Sequence, residues 1–136
     1  MAQLILSDHD CEGQARQIVD MYSRTPYLVE LAPLQLLYLR DVVLSVSSDD
    51  LDVWRYCQNN HCLLITGNRS GKDKAKSLEA IIRRHFAPEN LPVITISNLK
   101  RVKADMDYRR YCMTRLGEIV FDLDKYRGKM RLFLPY

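Results

Sequence analysis

Three carboxylates follow the first apolar run of the chain, and their spacing could support chemistry. The apolar run 4–6 ends at Ser7, and Asp8, Asp10 and Glu12 then follow at alternate positions. A buried strand that delivers acids to its carboxyl end is a common way for α/β proteins to build a site. Because hard divalent cations take oxygen ligands, the cluster indicates metal-dependent chemistry.

The same residues also have a purely structural explanation. Asp8 or Asp10 can cap a helix, and Glu12 in its first turn would be stabilised by the positive end of the helix dipole. His9, the only histidine near these acids, could assist proton transfer, although a loop histidine is more often simply exposed. Both interpretations stay open at the level of sequence.

Metal-dependent phosphodiester cleavage needs three or four acidic side chains from different elements. Asp50 begins a predicted helix that Ser47 to Asp50 would cap, and Asn68 follows a predicted strand as a neutral oxygen donor. With Asp8 they form the candidate ligand set.

The charge of the chain is unevenly distributed. The formal net charge of +3 is too small to indicate a nucleic-acid-binding protein by itself. Acids crowd the first half and basic residues the second, where Arg69, Lys72 and Lys74 are candidate contacts for a phosphate backbone. The alternative is that each charged run is a solvated face.

The loop 67–72 resembles a P-loop but departs from it. Three residues rather than four separate Gly67 from the Gly71-Lys72 pair, and Asp73 stands where a Ser or Thr should bind magnesium. This argues against an ATPase and leaves a phosphate- or nucleotide-binding protein as a weaker hypothesis.

The order of the elements predicts the fold class. Short apolar runs alternate with amphipathic segments. The predicted strands are the opening run 4–6, then 34–39, 62–66, 93–96 and 130–134. Helices are predicted after 8–10, after 47–50, at 77–86 and at 105–126, and the segment from Tyr27 to Pro33 is predicted to be irregular. The pattern is typical of a three-layer α/β/α fold with a Rossmann-like parallel sheet of about five strands and right-handed crossovers.

Length and composition bound the remaining features. At 136 residues with 47% apolar residues, we expect one domain spanning 1–136. The sequence lacks an apolar run long enough to cross a membrane and a secretory signal pattern, so we expect a cytoplasmic protein without a membrane partner. The four cysteines lack metal-site spacing, and we expect reduced thiols.

Three stretches carry a resemblance to a known family. The segments 4–8, 48–54 and 62–69 resemble the PIN-like domain, in the compact bacterial branch of toxin ribonucleases and Mut7-type C-terminal domains. In that branch a strand ends in Asp, a Ser-Asp-acid segment opens a helix, and a later strand ends in Leu-Thr-x-Asp-Arg. Thr66 and Arg69 match the last pattern, but Asn68 replaces its acid.

The resemblance implies a magnesium- or manganese-dependent ribonuclease. It makes Asp8 and Asp50 metal ligands, with Asp49 or Asp52 as the alternatives to Asp50. Asp10, Glu79 or Asp73 could compensate for Asn68. The implied partners are RNA and either an antitoxin-like protein or a second copy of the chain. Because an amide lowers the charge of the site, a binding module that has lost its ions is the alternative.

Overall fold

The sheet has five parallel strands, as the sequence predicts. The computed structural model describes residues 1–42, 44, 48–67 and 72–136, and for residues 72–77 it describes the backbone alone. The strands are β1 (Gln3–Ser7), β2 (Leu34–Tyr38), β3 (Cys62–Gly67), β4 (Val93–Ile96) and β5 (Arg131–Leu134). All the strand pairs are parallel, and the order across the sheet is β2-β1-β3-β4-β5. This is the doubly wound order of flavodoxin-like sheets.

Six α-helices lie in the described residues. They are α1 (Glu12–Ser23), α2 (Pro26–Leu31), α3 (Asp50–Asn59), α4 (Lys72–His85), α5 (Leu99–Ala104) and α6 (Met106–Phe121). The sequence analysis missed α2 and α5, placed the start of α4 five residues too late, and joined α6 to the separate 3-10 turn Leu123–Tyr126. In none of the described helices is the apolar stretch long enough to cross a membrane.

The helices form a layer on each face of the sheet. On the first face, α1, α2, α5 and α6 pack over strand residues that include Ile5 and Ile94. On the second face, α3 and α4 pack over residues that include Leu6 and Leu64. Because successive strand residues point to opposite faces, β1 and β3 contribute to both cores. The three-layer α/β/α prediction is therefore confirmed.

One crossover departs from the predicted handedness. From β2 to β3, from β3 to β4 and from β4 to β5 the chain advances in one direction across the sheet. The first two of these connections cover the second face, whereas the connection from β4 to β5 covers the first face. The last connection therefore has the opposite hand to the other crossovers, and given the strong preference for right-handed units it is the left-handed one. The two helices of this connection, α5 and α6, pack against α1. They could not make this contact from the second face, because α1 lies on the first.

The topology places a switch point between β1 and β3. From β1 the chain moves outward to β2, and after β2 it moves to the opposite side, to β3. Ligands of doubly wound sheets bind outside the carboxyl ends of the strands at this position. Asp8 directly follows the carboxyl end of β1, and Gly67 is the last residue of β3.

Candidate functional site

Asp8 is held at the switch point by a backbone bond to β3 and by its own capping bond. Its backbone N–H donates to the carbonyl oxygen of Ile65 in β3 at 2.9 Å, so the ladder continues one residue past β1. Its Oδ1 accepts from the backbone N–H of His9 at 2.8 Å and caps the 3-10 turn His9–Cys11. Asp8 therefore caps this turn and not α1, whose N-cap is Cys11, and its carboxylate lies at the predicted edge of the sheet.

Asp10 lies against the end of β3. A Cβ atom built at Gly67 would lie 3.0 Å from Oδ2 of Asp10 and 2.7 Å from Cδ1 of Leu99. A side chain at position 67 would make the Leu99 methyl group or the Asp10 carboxylate shift, so glycine permits this close approach. The sequence analysis treated Asp10 as a reserve for Asn68, whereas the structure brings its carboxylate directly to the strand that precedes Asn68.

Glu12 and His9 occupy the outer side of this corner. Glu12 opens α1, as predicted, and its Oε1 lies 3.2 Å from Nη1 of Arg40, which follows β2. His9 is 64% exposed, and its Nδ1 lies 3.9 Å from Oε2 of Glu12. An exposed histidine next to a carboxylate matches the structural explanation better than a fixed proton-transfer role.

Asp50 faces a different cavity. Asp49 caps α3 by accepting from the backbone N–H of Asp52 at 2.8 Å, and Asp50 is the first helical residue. Together they line a cavity of about 340 Å³ between α3 and α4, whose other side includes Ile81 and Arg84. The described contacts therefore associate Asp50 with α4.

Glu79 and Thr66 are both engaged on the second face. Oε2 of Glu79 lies 3.4 Å from Nη2 of Arg131 in β5, and Oε1 lies 3.5 Å from Arg83. The hydroxyl oxygen of Thr66 is buried 3.4 Å from that of Thr95 in β4. Glu79 thus joins α4 to β5, and Thr66 lies at the contact between β3 and β4.

The remaining candidates lie outside the described residues. These are Asn68, Arg69 and the side chains of Lys72, Asp73 and Lys74. Among the side chains that the structure describes, no group of three or more His, Cys, Asp or Glu residues is arranged to hold a metal ion. Asp8 and Asp10 supply the carboxylate oxygens that Mg²⁺ and Mn²⁺ prefer, so the donor chemistry at the switch point fits such an ion.

The cysteines belong to the two cores. All four are buried, and no disulfide joins them. A hydrogen bond to Cys62, together with burial, raises the pKa of the Cys57 thiol, and burial raises the pKa of Cys112 to about 12. Neither thiol is therefore activated as a nucleophile at neutral pH.

The sequence analysis missed the helix that completes this edge. Asn98 caps α5, since its Oδ1 accepts from the backbone N–H of Arg101 at 3.1 Å, and Leu99 then reaches the Gly67 corner. An asparagine directly before an apolar residue is a recognisable helix-start signal. It would have placed Leu99, and the basic residues after it, beside the acids.

Comparisons with known proteins do not identify a family. The chain matches no protein-family model, no curated protein and no solved structure closely enough to indicate a relationship.

Proposed function

We propose that this protein is a metal-dependent ribonuclease of the PIN-like type, with its site at the β1–β3 switch point. One observation carries the proposal: Asp8 and Asp10 follow β1 there, and Asp10 Oδ2 approaches within 3.0 Å of the Cβ position at Gly67. The topology supports it, because ligands of doubly wound sheets bind at this place. The PIN-like resemblance expects its first acid at the same position.

Each residue has a defined task in the proposal. Asp8 and Asp10 hold a Mg²⁺ or Mn²⁺ ion, and Asn68 adds a neutral oxygen ligand. When bound, the ion supplies electrostatic stabilisation of the charge that develops on the scissile phosphate. Arg69, Lys72 and Lys74 neutralise the flanking phosphates of the RNA. We assign the protein to the cytoplasm, with an antitoxin-like protein or a second copy of the chain as its protein partner.

The test combines cleavage with ion binding. We expect the wild-type protein to cleave single-stranded RNA in Mn²⁺, and Asp8→Asn and Asp10→Asn to lower the rate at least about tenfold, a loss typical even of residues that only orient metal ligands. Both variants should also weaken Mn²⁺ binding in calorimetry. Asp50→Asn should have a smaller effect, because Asp50 lines the cavity between α3 and α4.

Asp20→Asn is the matched control. Asp20 is an exposed acid on α1, at the opposite end of that helix from Asp8 and Asp10. The Asp20→Asn variant loses the same charge as the other two variants and should cleave RNA at the wild-type rate. Cleavage that is equally fast in Asp8→Asn, Asp10→Asn and Asp20→Asn would rule out the proposal.

The structure also favours a second candidate function, a binding module that retains the fold without catalysis. Asp8 already caps the turn after β1, and Glu12 is paired with Arg40, so both acids have structural roles. This candidate predicts no heat on addition of Mn²⁺ and no change in melting temperature. If Mn²⁺ gives heat or changes the melting temperature of the wild type, and this effect is lost in Asp10→Asn, the result favours the ribonuclease over the binding module.

A further inference from the structure

Helix α5 lies directly beside the acidic corner. Its first residue, Leu99, contacts the Gly67 position that Asp10 also approaches. Toward its other end, Cε and Nζ of Lys103 both lie 3.6 Å from the position of a Cβ built at Gly13, in the first turn of α1. The Lys103 ammonium group therefore lies within van der Waals distance of the first turn of α1. Helix α5 therefore contacts both the end of β3 and the start of α1.

Most cations near α5 are already engaged. Arg101 pairs with Asp105 at 3.1 Å, and Arg110 pairs with Asp107 at 2.9 Å. Arg109 donates to the carbonyl oxygens of the α5 terminus, at positions 102 and 103.

Two lysines remain available on this helix. Lys100 and Lys103 are exposed, and neither forms an ion pair with any described part of the chain. They are separated by three positions and so lie on neighbouring parts of the helix surface. These two lysines lie beside the carboxylates of Asp8 and Asp10. They could therefore bind the part of a long anion that extends beyond those carboxylates.

An exposed aromatic ring lies at the start of the same helix. Tyr136 is 89% exposed, and its carbonyl oxygen accepts from the hydroxyl of Ser97 at 3.3 Å. Ser97 directly precedes the capping residue Asn98, so Tyr136 lies at the same end of the sheet as Lys100. Cations that follow a phosphate chain together with an aromatic ring for base stacking are characteristic of single-strand binding.

We propose that Lys100, Lys103 and Tyr136, here called the α5 strip, bind single-stranded RNA and hold it against the Asp8–Asp10 corner. The lysines neutralise two phosphates, and the tyrosine ring stacks on a base. The choice of RNA rests on the proposed function. Binding itself requires no metal ion, because the two ammonium groups contact the phosphates directly.

The test measures binding in EDTA, where cleavage does not contribute. Fluorescence anisotropy with a labelled oligouridylate over a series of KCl concentrations gives the slope of log K against log salt. In Lys100→Gln/Lys103→Gln we expect the slope to become shallower by about 1.4, at about 0.7 per lost phosphate contact of a single strand. In Tyr136→Leu we expect about tenfold weaker binding with the slope unchanged, because stacking releases no counterions.

Lys125→Gln/Lys129→Gln is the matched control. It removes the same charge from exposed lysines that precede β5, at the opposite end of the sheet. Its slope should equal that of the wild type.

Three results would overturn the inference. They are equal slope changes in the two double variants, no binding in EDTA at low salt, and binding to phosphatidylserine vesicles without binding to the oligonucleotide. The proposed function fails separately: if Asp8→Asn and wild type bind the oligonucleotide equally and neither cleaves it in Mn²⁺, the α5 strip stands and the ribonuclease does not.

Discussion

Arg131 shows how strongly one residue can depend on another. Its side chain is only 18% exposed, and its Nε and Nη2 atoms are buried without a hydrogen-bond partner in the described residues. The nearest countercharge is the carboxylate of Glu79, 3.4 Å from Nη2. A buried charge without a partner is costly, so Glu79 compensates for the guanidinium.

Glu79→Gln should therefore lower the free energy of unfolding. We expect a loss of about 1–2 kcal/mol, because the burial of this pair lies between that of an exposed pair and that of a fully buried one. Urea unfolding measures it. Glu118→Gln is the control, since Glu118 is 60% exposed and lies 3.7 Å from Arg115. If the two variants lose the same stability, Arg131 does not depend on Glu79.

Helix α6 begins at a carboxylate that also connects it to α5. Oδ1 of Asp105 accepts from the backbone N–H groups of Asp107 and Tyr108, and Oδ2 accepts from Arg101. The backbone N–H of Tyr108 first, and then Arg101, hold the pKa of Asp105 below its ordinary value of 3.8. A depressed carboxyl pKa stabilises the folded state above the unfolded pKa, and this contribution is lost as the pH falls through the folded pKa.

Asp105→Asn should consequently show a pH-dependent loss of stability. At neutral pH we expect a lower melting temperature than that of the wild type, because the amide keeps one acceptor but loses the charge. The difference in melting temperature should become progressively smaller as the pH is lowered below 3.8, because the wild-type carboxyl group then also becomes neutral. Thermal melts followed by circular dichroism measure it.

Asp107→Asn is the control for this prediction. Asp107 lies in the same helical turn, is 76% exposed and pairs with Arg110 at the surface. It should have the smaller effect at neutral pH. A difference between Asp105→Asn and wild type that is constant across the pH series would contradict the capping argument.

At the scale of the whole molecule, two cores share one sheet. Leu63 and Ile65 of β3 face the core under α1 and α6, while Cys62 and Leu64 face the core under α3 and α4. Disruption of the strand therefore exposes both cores at once. This coupling is the physical basis for expecting residues 1–136 to behave as one domain.

The single tryptophan makes that expectation measurable. Trp54 is 4% exposed in the core of the second face, whereas four of the six described helices cover the first face. We expect urea unfolding curves from Trp54 fluorescence and from far-UV circular dichroism to have the same midpoint. Separate midpoints would show that the two layers unfold independently and that the single-domain prediction is wrong.

The strands could be predicted from the sequence because each is a short apolar run with a clear end. Val93–Ile96 has the predicted boundaries, and the others differ by at most one residue at an end. The short helices α2 and α5 carry too few residues to show a helical period. Their signals were local: Pro26 at the first position of α2 and Asn98 before α5.

The candidate site could be predicted only in part. Asp8 follows β1 at the predicted edge, since the end of a strand determines where the next residue lies. The position of Asp10 depends on Leu99 and Gly67, which are distant in sequence and meet through a helix that was not predicted. The predicted role of Asp50 depends on the position of its helix terminus, and a sequence pattern does not specify which cavity that terminus faces.

The left-handed crossover also has a consequence for the order of folding. Strand β5 pairs only with β4, and its connection covers the face opposite to that of the preceding crossover. The sheet of β1 to β4, with α3 and α4 on one side, can form before that connection closes. Helix α6 then docks against α1, and β5 adds to the edge of the sheet. Both events require closure of the longest crossover of the chain, which has the largest entropic cost of loop closure.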